Sequence, residues 1–307
     1  MNLQEESRDG YLVSAHMKKV WAVQLELLKK LLEVCDKYQL RIWADGGTLL
    51  GTIRHKGYIP WDDDIDMAMF RDDYDKLVQI APKEFDHPYF FQCGYTEKCY
   101  IRGHSQLRMD GTAAMLLAPA FMDTHQGIFI DIFPYDAVPD DEQEMKKLIE
   151  EKNRLMDRMV HTAVFDWLHP VRSIRLSLKK SSFSEMYEDF ENAFRKYRIE
   201  DNNCVSCLSF IIDPEHFLRN KQWYDETLAM PFEDCLMPVP VGYHEILTKQ
   251  YGNYMIPVKA PSYHGDFWKL DAEKSYLDYL PELRALCKKM HRRSYVQRIK
   301  NIFRNGK

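Results

Sequence analysis

Apolar side chains between Lys18 and Asp36 recur at helical spacing. Val20, Leu25, Leu28, Leu31, Leu32 and Cys35 fall on or near one face, which predicts a long amphipathic helix whose apolar side covers a sheet. The period then changes. Arg41-Ile42-Trp43-Ala44 reads as a short strand, Asp45-Gly46-Gly47 as a turn, and Thr48 to Arg54 as the opening of a helix. From Asp64 onward the alternation is that of a strand, with Asp64, Asp66 and Ala68 on one face and Ile65, Met67 and Met69 on the other. Arg71-Asp72-Asp73-Tyr74 begins another helix, with acid suited to its first turn. Short strands are expected from Tyr89 to Cys93 and from Gln106 to Met109, leading to an apolar strand from Gly127 to Pro134 that a single charge, Asp131, interrupts. From Asp140 to Arg198 the pattern is mostly helical and charged, broken near His169-Pro170, and the chain has no repeat or low-complexity linker.

The charges set into this pattern carry the candidate chemistry. Asp62, Asp63, Asp64 and Asp66 are four carboxylates within five positions. Such a cluster repels itself unless something holds the ionised forms together, and a hard divalent cation with oxygen ligands does so. Residues two apart share a face on a strand and not on a helix, so Asp64 and Asp66 can hold one metal between them. Asp62 and Asp63 follow Pro60-Trp61 and read as solvated carboxylates of the entering loop. Upstream, the glycine pair Gly46-Gly47 between strand and helix lets backbone amides, with Thr48, approach a phosphate at the positive end of the helix. Glycine pairs are ordinarily just turns, and the acidic strand that follows gives this one its weight. Together the two features point to metal-assisted transfer at phosphorus.

That chemistry calls for a third carboxylate. Asp131, alone in an apolar strand, needs a cation or a partner, so it is either the third metal ligand or half of a structural ion pair with an arginine such as Arg108. Arg54 and His55 lie between the glycine turn and the acidic strand, where they can neutralise a diphosphate or stand as exposed loop charges; Lys56 reads as the latter. Trp61 either stacks on a base or anchors its loop. Arg108 can grip a donor phosphate bidentately. His264 either meets the active site or belongs to a loop in which Asp266 caps the next helix.

The stretch GGTLLGTIRHKGYIPWDDDID closely resembles the signature of the LicD family. The resemblance continues through LRMDGTAA from Leu107, IDIFPYD from Ile130, and the segment from Pro231 to Pro257, leaving the middle helical part and the basic tail poorly matched. It implies a nucleotidyltransferase-like α/β (α+β) fold, a mixed sheet flanked by helices with an additional helical lobe. It further implies that Gly46, Gly47 and Thr48 hold phosphate, that Asp64 and Asp66 bind Mg²⁺ or Mn²⁺, and that Asp131 supplies the third carboxylate as ligand or as base. The implied reaction moves a phosphorylated small group, phosphocholine or a polyol phosphate, from a CDP-linked donor to a hydroxyl of a cell-surface glycan or its lipid-linked precursor. The branch similar to fukutin-related protein carries a metal-binding cysteine cluster that is not recognisable here. Two other readings stand beside this one: attachment of a nucleotide to an acceptor, and a catalytically silent nucleotide-binding scaffold, against which the presence of all three carboxylates counts.

Length and composition fit a globular enzyme of 307 residues. Its expected parts are a catalytic core over residues 1–140, a mostly helical insert over 141–230, a segment over 231–282 that completes the core, and a basic tail over 283–307. A net charge of −5 gives no case for polymeric nucleic acid as a partner. Seven cysteines at irregular spacing, with one isolated Cys204-Val205-Ser206-Cys207, suit reduced thiols. The first ten residues are polar and acidic and no apolar run reaches membrane-spanning length, so a cytoplasmic protein is expected. After Glu282 come nine cationic side chains and no acidic one, interspersed with apolar residues, a segment suited either to an anionic membrane surface or to a solvated helix face. The stretch from Leu168 to Lys180 has the same character.

Overall fold

A computed structural model describes residues 1–97, 100–116, 124–168, 183–209, 217–259, 267–286 and 288–289. A hairpin of β1 (Glu6–Arg8) and β2 (Tyr11–Val13) leads into α1 (Ala15–Lys37), whose N-cap Ser14 accepts the Met17 N–H at 3.2 Å. The apolar stripe of α1 is buried as its spacing requires, with Leu32 half-buried at its margin. Next come β3 (Trp43–Ala44), α2 (Gly46–His55), β4 (Asp66–Phe70) and α3 (Arg71–Glu84). They are followed by β5 (Tyr89–Gln92), β6 (Ser105–Met109), β7 (Ala113–Met115) and the long β8 (Phe129–Val138).

β8 is the spine of a seven-stranded mixed sheet. Along one edge it pairs in parallel with β4, which in turn carries β3 antiparallel. Its other edge is shared: β6 pairs antiparallel with Phe129 to Ile132, and β5 lies beyond β6. The remainder of that edge takes a strand from later in the chain. Buried on both faces, β8 has the near-continuous apolar sequence of a central strand, with Ile130 and Ile132 fully buried. The mixed α/β architecture expected from the sequence is therefore the one observed.

After β8 the chain forms α4 (Glu142–Leu168) and α5 (Phe183–Arg195), which pack on each other around a separate apolar cluster that includes Leu155, Met159, Tyr187, Phe190 and Phe194. Beyond α5 the described residues of this stretch include two short strands and a 3-10 turn over Lys221–Tyr224. β9 (Cys204–Ser206) pairs with the last residues of β8 and contributes Val205 to the main core, and β10 (Arg219–Asn220) extends the sheet. The hairpin of β11 (Thr227–Phe232) and β12 (Cys235–Pro240), then α6 (Tyr243–Tyr251), bury Phe232, Met237, Val239, Ile246 and Leu247 in that same core. Finally β13 (Lys269–Asp271) pairs with β7. The two stretches singled out for membrane contact lie almost wholly outside the described residues. Among the described residues no helix is long and apolar enough to cross a membrane.

A buried charge network joins the helical lobe to the sheet. Arg71, at the start of α3, donates to both oxygens of Asp136 on β8 at 2.6 and 2.9 Å and to Glu191 of α5 at 3.1 Å. Arg195 donates to Asp75 and to Glu191, and Tyr95 Oη also donates to Glu191. Removing one member leaves buried charge unmatched. Asp136→Ala is expected to lower the unfolding free energy by about 3–5 kcal/mol in urea titrations, whereas replacing the exposed Glu188 should change it by less than about 0.5 kcal/mol.

Candidate active site

The parallel pairing of β4 with β8 sets Asp66 directly beside Asp131. Asp64 lies two residues before the start of β4, but the segment already runs alongside β8 there, since Ile65 O accepts the Asp131 N–H at 2.9 Å. The result is a cluster in which ligand oxygens of Asp64, Asp66 and Asp131 all lie within 4.8 Å of one another. Asp62, Asp63 and Asp64 form a second such group sharing Asp64. Asp62 and Asp63 are half-buried against the site, which is more enclosed than solvated loop positions would be. Burial, then the charges of Asp66, Asp62, Asp63 and Asp131, pushes the Asp64 carboxyl well above the usual carboxylate range. Asp66 is pushed the same way by burial, then by Asp131 and Asp45. The donors are all carboxylate oxygens, from a buried group that cannot carry its full charge alone, and this fits a hard cation such as Mg²⁺ or Mn²⁺.

The N-terminus of α2 abuts these carboxylates. The helix begins at Gly46, two residues earlier than its apolar pattern suggests, so the glycine pair belongs to its first turn. Gly46 has φ +50°, and a Cβ there would sit 3.0 Å from Asp66 Oδ2. At Gly47 a Cβ would meet Asp62 Oδ2 at 2.7 Å, so a side chain there would displace the Asp62 carboxylate. Thr48 Oγ1 accepts the Asp66 N–H at 2.8 Å, fastening helix to strand, and its side chain is buried. Asp45, at the N-cap position, makes no capping bond. Its carboxylate instead accepts Tyr135 Oη from β8 and lies 3.5 Å from Arg219 Nη2 of β10. Asp45, Tyr135 and Arg219 are the residues that the sequence pattern does not disclose, because they meet only when the sheet forms.

Other expected site residues lie elsewhere. Arg54 and His55 occupy the opposite end of α2, about 12 Å along its axis from Gly46. Arg54 Nη1 donates to Tyr254 O at 2.6 Å, and His55 Nε2 sits 3.2 Å from Asp9. Burial and then the neighbouring Arg54 push the His55 imidazole below its ordinary range, so it supplies no cation at neutral pH. Arg108 is buried, and its guanidinium donates to Gln92, to Gly127 O and to Gln106; burial pushes it down to about 10. It pairs directly with none of the three clustered aspartates. Trp61 packs edge-on to Tyr11, as an anchor does, and Lys56 is exposed. His264 lies outside the described residues.

Residues 39–180 match the LicD/FKTN/FKRP nucleotidyltransferase-domain family. The match covers just under half of this chain, which over those residues resembles the LicD-type nucleotidyltransferase domain. The chain's similarity to the lipopolysaccharide cholinephosphotransferase LicD of Haemophilus influenzae is 29% identity over 239 residues, covering 76% of this chain and 89% of that protein. A stretch of 59 residues is 34% identical to human ribitol 5-phosphate transferase FKRP, covering 19% of this chain and 12% of that one. An uncharacterised protein of Rickettsia prowazekii is 36% identical over 96 residues, 31% of this chain and 33% of its own length.

Two outcomes follow from the geometry. Gly46→Ala forces an L side chain into left-handed backbone beside Asp66, and is expected to destabilise the fold by about 1–2 kcal/mol in urea titrations. A carboxyl raised above its unfolded value binds more protons in the native state, so the stability it contributes is lost as pH rises above the unfolded 3.8 and through the raised native value. Asp64→Asn in chelated buffer should therefore melt higher than wild type at pH 8, by a margin that narrows toward pH 5. Added Mg²⁺ should raise the melting temperature of wild type more than that of the variant.

Proposed function

We propose that the protein transfers a phosphorylated small group, phosphocholine or a polyol phosphate, from a CDP-linked donor to a hydroxyl of a cell-surface glycan or its lipid-linked precursor. The observation that carries this reading is the convergence of Asp64, Asp66 and Asp131 at the amino end of α2. The similarity to the LicD/FKTN/FKRP nucleotidyltransferase domain supports the phosphotransferase class, and the names of the cholinephosphotransferase and ribitol-phosphate transferase relatives support the transferred group.

The donor diphosphate would lie between the first turn of α2 and the carboxylates. The Gly46 and Gly47 amides would approach a phosphate oxygen, since neither residue carries a side chain to block it. Asp64, Asp66 and Asp131 would hold Mg²⁺, which when bound neutralises the diphosphate and the charge that develops on transfer. Asp131, 1% exposed, suits a ligand better than a base that must reach an acceptor. The acceptor hydroxyl oxygen would form a bond to the phosphorus of the transferred group while its proton passes to solvent, the bond from that phosphorus to the bridging oxygen would break, and CMP would leave.

The test is incubation of the purified protein with a panel of CDP-linked donors, Mg²⁺ and glycan extract. CMP together with a phosphodiester-modified acceptor is the expected outcome; a nucleotide-modified acceptor would indicate nucleotidyl transfer. Asp64→Asn, Asp66→Asn and Asp131→Asn should each lower turnover by about 10²–10³ or more in proteins that remain folded by circular dichroism, and near-normal turnover in any of them would remove that residue from the assignment.

A further inference from the structure

Asp131 is held by a set of groups on the neighbouring strand. On β6, Gln106 is the register partner of Asp131, and its Nε2 donates to Asp131 Oδ1 at 2.6 Å. His104, two residues earlier, brings Nε2 within 3.1 Å of the same oxygen and packs against Phe133. Arg108, two residues later, donates through Nη2 to Gln106 Oε1. Gln106 is fully buried, Arg108 and His104 nearly so. A guanidinium can only donate, so its bond to the amide oxygen fixes which end of the Gln106 amide faces Asp131. Arg108 is itself held by Gln92 and Gly127 O and lies over the Phe129 ring at 4.7 Å.

We infer that Gln106 is a positioning residue for Asp131, oriented by Arg108, and that this relay fixes the carboxylate for cation binding; the inference rests on the proposed role of Asp131. A carboxylate on the central strand has two unequal tasks: one oxygen must be satisfied by the protein, and the group must present a defined geometry to a cation shared with Asp64 and Asp66. Gln106 serves the first task with a neutral donor. A direct Arg108 to Asp131 pair would neutralise the carboxylate and compete with the cation, whereas an intervening amide transmits the orientation of the guanidinium without placing its charge on the ligand. The relay accounts for the polar side chains at His104, Gln106 and Arg108, which share one face at strand spacing.

The decisive variant is Gln106→Glu, which keeps volume and the Arg108 contact but turns an oxygen toward Asp131. Because this also sets a second buried carboxylate against Asp131, Gln106→Met, which keeps the packing volume without the amide, shows what packing alone contributes. For Gln106→Glu the relay predicts a loss of about 10–100-fold in Mn²⁺ affinity, measured on the full chain by electron paramagnetic resonance, and a comparable fall in kcat, with donor KM at saturating metal within about twofold. Gln106→Asn, which keeps the amide but is too short to span both partners, should show the same direction and serves if the glutamate variant fails to fold. Wild-type Mn²⁺ affinity and kcat in a folded variant of either kind would overturn the inference. Asp131→Asn separates this from the underlying reading: if it retains activity and metal affinity, the role of Asp131 itself is wrong, whereas loss there with no effect at Gln106 rejects only the relay.

Discussion

Repulsion between buried carboxylates is the constraint around which this structure is arranged. Parallel pairing of β4 with β8 puts Asp66 and Asp131 at the same rung, and the approach to β4 adds Asp64. Each of these groups is close to others of the same charge and largely removed from water, a combination that costs free energy unless charge is neutralised. The fold answers with two partial compensations. The amino end of α2 brings the positive pole of a helix to one side of the cluster, and the Gln106 amide of β6, with the His104 ring just before it, lies on the other. Neither cancels the charge, which leaves a strong electrostatic demand for a cation.

Holding that demand in place falls to the apolar structure. Ile65, Met67 and Met69 are fully buried beneath the acidic face, and Ile130 and Ile132 do the same for β8, so neither strand can slip by one residue without turning the carboxylates into the core. Thr48 then locks the helix to the strand by a single hydrogen bond. Packing here fixes chemical geometry as much as it supplies stability.

The arginines illustrate how differently one residue type is used. Arg71 joins the helical lobe to the sheet through Asp136 and Glu191. Arg108 orients an amide. Arg54 ties the far end of α2 to the loop after α6. Arg219 meets Asp45 and Gln250 in the layer behind the glycine turn. These roles cannot be ranked from composition, because every guanidinium offers the same donors and only the surrounding acceptors differ.

Sequence alone determined the elements with a strong period and the chemistry carried by short motifs. The stripe on α1, the alternation through Asp64 and Asp66, and the isolated charge in β8 were legible because helix and strand geometry convert spacing directly into faces. The glycine pair was legible as a close approach, although not which glycine needs left-handed backbone: that is Gly46, because of how the chain leaves β3. Tertiary structure decided what depends on separations of many residues. It brought Asp45 to Tyr135 and Arg219, moved Arg54 and His55 away from the acidic cluster, and interposed Gln106 between Arg108 and Asp131. Local spacing constrains a side chain to a face, while its partner is set by strand register and helix packing, which are properties of the assembled sheet.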